Sequence, residues 1–253
     1  MRRLRLLLAY DGTDFAGWQV QPDLRTVQGV LTAALTRLNG DRPVSLRGAG
    51  RTDAGVHALG QVADCAFAAD LDDAGVAHAL SRMLPDDVRV LAVSTVPDGF
   101  HARRHARAKV YVYRVDRSAH GDPFLRRYAA WRPGALDLPA MEQGLTLLPG
   151  RRDWSGFTAA SCTVEDRVRT VFEARYAEES ALGRFTFSGE GFLTHMVRNL
   201  VGTLLDVGRG RFAPERIREV LESGDRALAG PTAPAAGLFL ERVVYDNAGG
   251  GAA

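Results

Sequence analysis

The chain has 253 residues, of which 46% are hydrophobic and 25% charged, and its formal net charge is +2. A chain of this length and apolar content can bury a substantial core, which excludes disorder of the whole chain and allows one large domain or two packed smaller ones. No window holds the roughly 18 to 20 uncharged apolar residues of a membrane span, and RRLRLLLAYDG is too short and too quickly polar for a signal peptide. The sequence therefore predicts a cytoplasmic protein without membrane contact.

The first hundred residues alternate between strand and helix patterns. VQGVLTAALTRLN places its apolar residues on one helical stripe, and Gly40 follows as a stop signal. The patterns predict a strand over 4–11, a helix over 27–39, a strand over 57–67, a helix over 72–84 and a strand over 88–97.

A similar succession follows. KVYVYRV alternates with period two, as a strand with one buried face does, and Pro139 is placed for the first turn of a helix. The patterns predict a strand over 109–115, a helix over 139–148, strands over 170–179 and 183–190, helices over 192–208 and 214–223, and a strand over 237–245. We expect an α+β protein with two halves, 1–105 and 106–246, and a disordered tail over 247–253.

Cysteine and histidine spacing does not indicate a metal site. Cys65 and Cys162 are far apart and lack a C-x-x-C pattern, so free thiols are expected. His101 and His105 would share a face of a helix and could hold a metal there, but the arginines around them favour a solvated basic segment. No metal is predicted.

The stretch GAGRTDAG, residues 48–55, has the strongest indication of chemistry. Its small residues allow close approach of another molecule, and Arg51 and Asp53 are its only charges. It does not fit a phosphate loop, because Asp53 occupies the third glycine position of G-x-G-x-x-G. Asp64, the next acid, lies on a different stretch and is not an obvious partner for paired-carboxylate glycoside chemistry. An Asx-turn carboxylate that caps its own loop is the common alternative for Asp53.

Three further patterns contain candidate residues. Tyr111 and Tyr113 share one face of a strand, where tyrosine usually packs in the core. Arg198 interrupts an apolar helix, so it either has an anionic partner or extends to the surface. The run HARRHARAK before Tyr111 is either a solvated face or a track for phosphates. Phe15 and Trp18 suit core packing as well as stacking on RNA.

Seven ordered blocks resemble the tRNA pseudouridine synthases of the TruA type. They are YDGTDFAGWQVQ (10–21), GAGRTDAGVHALGQV (48–62), PDGFHAR (97–103), KVYVY (109–113), DWSGF (153–157), GFLTHMVRNLVG (191–202) and APAAGLFL (233–240). The resemblance implies the pseudouridine synthase fold, in which two α/β halves share a mixed, largely antiparallel sheet with a central catalytic cleft.

The resemblance also implies residue roles. Asp53 is the catalytic carboxylate that acts while the glycosidic bond of uridine is broken and re-formed to carbon. Arg51 helps to force the target nucleotide out of the stack, and Tyr111 stacks on the flipped base, whereas Tyr113 belongs to the core. Arg198 is implied to pair with Asp53 and keep it ionised. The chemistry needs no metal, no nucleotide and no other cofactor.

The implied function is isomerisation of uridine to pseudouridine in the anticodon stem-loop of tRNA, at positions 38 to 40, by a homodimer that holds one tRNA across both subunits. Two alternatives remain open. One is a structured-RNA-binding protein that has the fold without the activity, which retention of Asp53 disfavours. The other is a synthase with a different RNA target.

Overall fold

A computed structural model describes residues 1–246, and the predicted disordered tail over 247–253 lies outside the described residues. Within the described part the chain is α+β, with ten strands of a mixed sheet and five α-helices. Antiparallel pairs predominate among the strands. The predicted α+β class with a mixed, largely antiparallel sheet is confirmed.

The chain divides into two compact units. The first comprises Met1–Arg107 and the residues from Leu240 onward, and the second comprises Ala108–Phe239. The predicted division near residue 105 is close to this boundary, whereas most of the final strand belongs with the first unit. Assignment of 1–105 and 106–246 as domains stays a prediction.

The first unit is a small sheet covered by helices. Its elements are β1 (Arg2–Tyr10), α1 (Val27–Leu38), β2 (Arg47–Gly48), β3 (His57–Phe67), α2 (Asp73–Met83), β4 (Val88–Val96) and most of the final strand β10 (Leu238–Tyr245). The strand order is β4-β1-β3-β10, and β2 pairs with β3. Leu4, Leu6 and Leu8 are fully buried and alternate with partly exposed residues, which gives β1 one core face.

The helices of this unit begin at side-chain caps. The Thr26 hydroxyl accepts from the Gly29 N–H before α1, and the Asp72 carboxylate accepts from the Gly75 N–H before α2. Each helix then buries an apolar stripe, and α2 packs on β4. Capping and periodicity thus agree, and both helices were predicted to within a residue of their ends.

The second unit contains the remaining strands of the sheet and its own helices. Its elements are β5 (Ala106–Asp116, from Ala108 onward), β6 (Ala130–Trp131), α3 (Leu138–Thr146), β7 (Gly150–Asp153), β8 (Val168–Glu179), β9 (Leu182–Gly189), α4 (Met196–Gly208) and α5 (Arg216–Ser223). The strand order is β5-β9-β8-β7, and β6 pairs with β5 in parallel. Helix α3 packs against α4 and β8. Phe185 and Phe187 of β9 are fully buried and fill the core of this unit.

Helix α4 begins four residues later than the predicted 192–208. His195 precedes the helix with φ of 60°, in the left-handed region that a right-handed helix cannot contain. The apolar residues before it therefore lie in an irregular segment, where the Thr194 carbonyl accepts from the Ala159 N–H at 3.0 Å. Apolar periodicity alone could not reveal this break.

Candidate active site

The segment 48–56 runs from the last residue of β2 through the loop that precedes β3, and its small residues have identifiable packing roles. A Cβ on Gly48 would lie 2.6 Å from the Trp18 ring, so only glycine allows the indole to pack there. Ala49 is fully buried and donates its N–H to the Val62 carbonyl at 2.7 Å. Gly55 has φ of 75°, a conformation that favours glycine. The residues of this loop are therefore small because neighbouring residues pack closely against its backbone.

Residues 12–18 support the same loop from a second side. The Trp18 N–H donates to the Thr52 carbonyl at 3.0 Å, and the Gly55 N–H donates to the Phe15 carbonyl at 3.2 Å. Gly17 has φ of 99°, and a Cβ there would lie 2.8 Å from the Thr52 carbonyl oxygen. The backbone is thus held on both sides of Asp53.

Buried polar side chains fix the residues that precede the two charges. The Tyr10 hydroxyl lies 2.8 Å from Thr52 Oγ1, and Gln61 Nε2 donates to the Gly50 carbonyl at 3.0 Å and reaches the Tyr10 hydroxyl at 3.5 Å. Burial raises the pKa of Tyr10 to about 12, although its hydrogen bonds oppose the rise. The phenol stays neutral at physiological pH and can donate a hydrogen bond to Thr52.

Asp53 and Arg51 differ in exposure. The Asp53 side chain is half-buried, and its backbone carbonyl accepts from the Val56 N–H at 3.1 Å. Arg51 is exposed. The loop therefore combines a half-buried carboxylate on a hydrogen-bonded backbone with an exposed cation two residues away, which suits one group that reacts and one that contacts a substrate.

Asp64 has a structural role. It is fully buried, lies 2.7 Å from Arg3, and forms a second ion pair with Arg47. Its other oxygen accepts from the Ala102 N–H at 2.8 Å. A carboxylate held by two guanidiniums and a backbone amide is poorly suited to act as a general acid, which removes Asp64 from the paired-carboxylate alternative.

The two tyrosines of β5 are buried, but their contacts differ. Tyr113 is fully buried, and its hydroxyl donates to the Pro234 carbonyl at 2.9 Å. A Cβ on Gly237 would lie 2.6 Å from its ring, which confirms Tyr113 as a core residue. Tyr111 is 7% exposed and makes an edge-to-face contact with Phe192, with ring centroids 5.2 Å apart. Phe192 therefore covers part of the Tyr111 ring.

Arg198 of α4 is half-buried and forms hydrogen bonds to the segment around Ala233. Its Nε donates to the Ala233 carbonyl at 2.8 Å, and the Ala233 N–H donates to the Arg198 carbonyl at 3.1 Å. A Cβ on Gly202, one turn further along α4, would lie 1.7 Å from the Pro231 carbonyl oxygen. The segment around 231–233 therefore packs directly on α4. Pairing of Arg198 with Asp53 stays a prediction.

The basic run before Tyr111 is a turn that leads into β5. His101 Nδ1 accepts from the Arg103 N–H at 3.2 Å, and His105 Nδ1 accepts from the His101 N–H at 3.4 Å. Burial and the charge of Arg47 lower the pKa of His101. The helical histidine pair considered as a metal site does not form.

The arginines of this run are exposed. Arg103 and Arg104 face solvent, whereas Arg107 forms an ion pair with Asp246 at 2.6 Å. The phosphate track remains a prediction for this segment. Phe15 and Trp18, by contrast, are 3% and 2% exposed and pack in the core.

Comparison with known proteins identifies the family. The family model described as tRNA pseudouridine synthase matches residues 7–103 and 145–246. The chain is 44% identical over 246 residues to tRNA pseudouridine synthase A of Geobacillus kaustophilus, across 97% of this chain and 95% of that protein. It is also 44% identical over 249 residues to tRNA pseudouridine synthase A of Streptococcus gordonii, across 98% of this chain and all of that protein. The chain belongs to the tRNA pseudouridine synthase family.

Three further residues of this family member, which the sequence patterns did not indicate, position the Asp53 loop. Tyr10 and Gln61 hold the residues on either side of Arg51, and His57 accepts the Gly12 N–H at 3.0 Å. All three are buried polar side chains on strands next to the loop. Their place within blocks 10–21 and 48–62 was a signal, but the contacts themselves join positions that are distant in sequence.

Among residues 1–246, no three His, Cys, Asp or Glu side chains cluster closely enough to hold a metal ion together. Across the same residues, no helix has the length and apolarity needed to cross a membrane.

Proposed function

We propose that this protein is an isomerase that converts uridine to pseudouridine in the anticodon stem-loop of tRNA, at positions 38 to 40. Family membership over nearly the whole chain supports the substrate and the reaction. The observation that carries the assignment of the catalytic group is the loop 48–56, whose backbone is hydrogen-bonded on both sides of a single half-buried carboxylate.

Asp53 is the proposed catalytic residue. Isomerisation requires the base to detach, rotate and reattach, so an anionic group must stay at a constant distance from the sugar and the ring. The hydrogen bonds to Thr52 and Gly55 oppose movement of the loop during these steps. A preorganised carboxylate needs no rearrangement at the moment of reaction.

The other three residues have proposed roles in substrate binding. Arg51 is exposed, and its guanidinium can contact a phosphate and replace a stacking neighbour as the target nucleotide is extruded. Tyr111 stacks on the extruded base after Phe192 moves aside. Arg198 keeps Asp53 ionised, a role that a double-mutant cycle between these two residues would measure directly.

Assembly and location belong to the same proposal. We expect a homodimer that binds one tRNA across both subunits in the cytoplasm. Sedimentation of the protein alone would give the number of subunits in the assembly, and sedimentation with tRNA would give the number of tRNA molecules bound to it.

The proposed function is tested with Asp53→Asn, which keeps the size of the side chain and removes its charge. We expect loss of turnover by a thousandfold or more, since removal of a covalent catalyst has effects of at least that order. Binding of tRNA should stay within about tenfold, because affinity comes mainly from phosphate contacts. Tritium release from 5-labelled uridine in a tRNA transcript measures turnover, and filter binding measures affinity.

The alternatives predict different results. If the protein bound RNA without catalysing isomerisation, the wild-type protein would release no tritium. A synthase with another target would leave the anticodon stem-loop unmodified and act on other RNA, which pseudouridine mapping in a deletion strain would reveal. Near-normal turnover of Asp53→Asn would exclude Asp53 from the mechanism.

A further inference from the structure

A cavity of about 410 Å³ lies within the second unit, and its lining does not include Asp53, Arg51, Tyr111 or Arg198. It lies between the C-terminal half of α4, strand β6 and the segment 231–233, and its size falls in the roughly 300 to 1,000 Å³ range of ligand pockets. Trp131, Arg132, Asp206, Arg209 and Arg211 form its polar and aromatic lining.

The cavity has an excess of positive charge. Three of its lining residues are arginines and one is an aspartate. The aspartate, Asp206, is committed to Arg211, whose Nη1 lies 3.1 Å from its carboxylate. Asp206 also acts on Arg209 through its charge, but a single carboxylate cannot neutralise three guanidiniums, so the lining keeps an excess of positive charge.

Arg209 is the least compensated of these cations. Within residues 1–246 its guanidinium has no hydrogen-bond or ion-pair partner. Burial lowers the pKa of Arg209, and the charges of Arg132 and Arg211 lower it further. Its position at the C-terminus of α4 gives some stabilisation through the helix dipole, but that effect does not account for a second and third arginine at the same place.

Trp131 supplies an aromatic surface beside these cations. Trp131 is 47% exposed, whereas Trp18 and Trp154 are 2% and 0% exposed. The indole Nε1 donates to the Ser118 carbonyl at 2.9 Å, and Gly121 approaches the ring so closely that a Cβ there would lie 3.4 Å from it. The ring is thus held in place on one side and accessible on the other.

We propose that this cavity binds a phosphate of the RNA backbone between Arg132 and Arg209, with a base of the same strand stacked on Trp131. Guanidinium groups bind phosphate in a bidentate way, and an aromatic ring next to them is the usual arrangement for single-stranded or looped RNA. The proposal rests on the proposed function for the identity of the RNA as tRNA. It adds a contact to tRNA through residues that have no role in the proposed isomerisation.

Two binding measurements test the proposal with an unmodified tRNA transcript as the probe. In Arg209→Gln we expect affinity about tenfold weaker at moderate salt, and a plot of log K against log salt that is shallower by roughly 0.7 to 0.9. Arg209→Lys should restore most of the slope, because an ammonium also displaces a counterion. Arg218→Gln, at an exposed arginine of α5 that lies outside the cavity, is the control and should bind as wild type.

Tryptophan fluorescence reports on the cavity itself, since Trp131 is the exposed tryptophan. Addition of tRNA should quench it in wild type and much less in Trp131→Phe. Equal affinity and salt slope in wild type and Arg209→Gln would overturn the proposal. So would quenching of Trp131 by inorganic phosphate alone with none by tRNA, which would identify a site for a free anion.

Tritium release by wild type is measured in parallel and separates the two conclusions. Absence of release would contradict the proposed function, while weaker tRNA binding by Arg209→Gln would still support the RNA contact. Release by wild type together with unchanged binding by Arg209→Gln would overturn the contact alone.

Discussion

The loop around Asp53 and the cavity around Arg209 differ in how firmly the surrounding residues hold the charged side chain. In the loop, backbone hydrogen bonds hold the residues on both sides of Asp53, and Gly17 has no room for a methyl group. In the cavity, the Arg209 guanidinium has no hydrogen-bond or ion-pair partner among residues 1–246, and a Cβ on Gly210 would meet nothing within 4 Å. The first region holds a carboxylate at a constant position, whereas the second presents positive charge without fixing its geometry. A reacting group needs a fixed distance, whereas a phosphate contact tolerates variation in geometry.

After the loss of turnover expected for Asp53→Asn, the largest expected effect comes from a change of length at constant charge, Asp53→Glu. One additional methylene moves the carboxylate by about an ångström, and a displacement of that size can lower the rate roughly a hundredfold. Single-turnover conversion of a tRNA transcript at saturating enzyme measures it, with circular dichroism as the check on folding. Arg209→Lys is the counterpart in the cavity and should change affinity only a few-fold. Activity of Asp53→Glu within a few-fold of wild type would favour a general electrostatic role for Asp53.

The next largest effect concerns Tyr111, whose ring is proposed to stack on the extruded base. Tyr111→Ala should weaken tRNA binding by about 1 to 3 kcal/mol, because it removes the stacking ring, while Tyr111→Phe should keep most of the affinity. Tyr113→Phe on the same strand face is the control, since it removes only the hydrogen bond to Pro234. Filter binding measures all three. Unchanged binding by a folded Tyr111→Ala would assign Tyr111 to the core alongside Tyr113.

Much of the fold was predictable because local patterns determine it. The caps of α1 and α2 lie within three residues of the groups they bind, and the alternation along β1 and β5 shows directly in the sequence. Strands β2, β6 and β7 were not predicted, since segments of two to four residues are too short to show alternation. They form because a longer neighbouring strand offers free hydrogen-bonding groups.

The candidate site shows the same limit. Asp53 and Arg51 could be selected because they are the only charges in a glycine-rich loop. The pairing of Tyr10 with Thr52 joins positions 42 residues apart, and no local pattern indicates it. The cavity of the second unit brings together residues from three segments, so its arginines look in the sequence like an ordinary solvated set.

A glycine comparison tests whether packing alone positions the loop. Gly17→Ala should lower turnover about tenfold, since the added Cβ would push on the Thr52 carbonyl and shift Asp53 by a fraction of an ångström. Gly210→Ala shares the positive φ but has open space, so it should lose about 1 to 2 kcal/mol of stability without a change in turnover. Urea unfolding and tritium release measure the two effects. Equal turnover in both variants would show that the loop tolerates displacement.

The smallest expected effect is that of Tyr10→Phe, and pH decides whether this variant has a lower or a higher free energy of unfolding than wild type. At pH 8 the variant loses the hydrogen bond to Thr52, and its free energy of unfolding should fall by about 0.5 to 1.5 kcal/mol. Turnover should fall only a few-fold, because the backbone contacts of the loop remain.

The pH dependence follows from the pKa of Tyr10, which burial raises from 10.0 to about 12. Below pH 10 the phenol is neutral in the folded and unfolded states, and its contribution to stability is fully present. As pH rises from 10 to 12, the unfolded chain loses this proton first, so the wild type loses about 2 to 3 kcal/mol from this residue. Tyr10→Phe lacks that loss, and its stability should approach and then exceed that of wild type within this window. Tyr176→Phe, whose half-exposed hydroxyl donates to Glu178 at 2.6 Å, is the control for turnover and should leave it unchanged. Parallel stability curves for Tyr10→Phe and wild type up to pH 12 would mean that Tyr10 is not ionised preferentially in the unfolded chain, and that burial does not protect its proton beneath the loop.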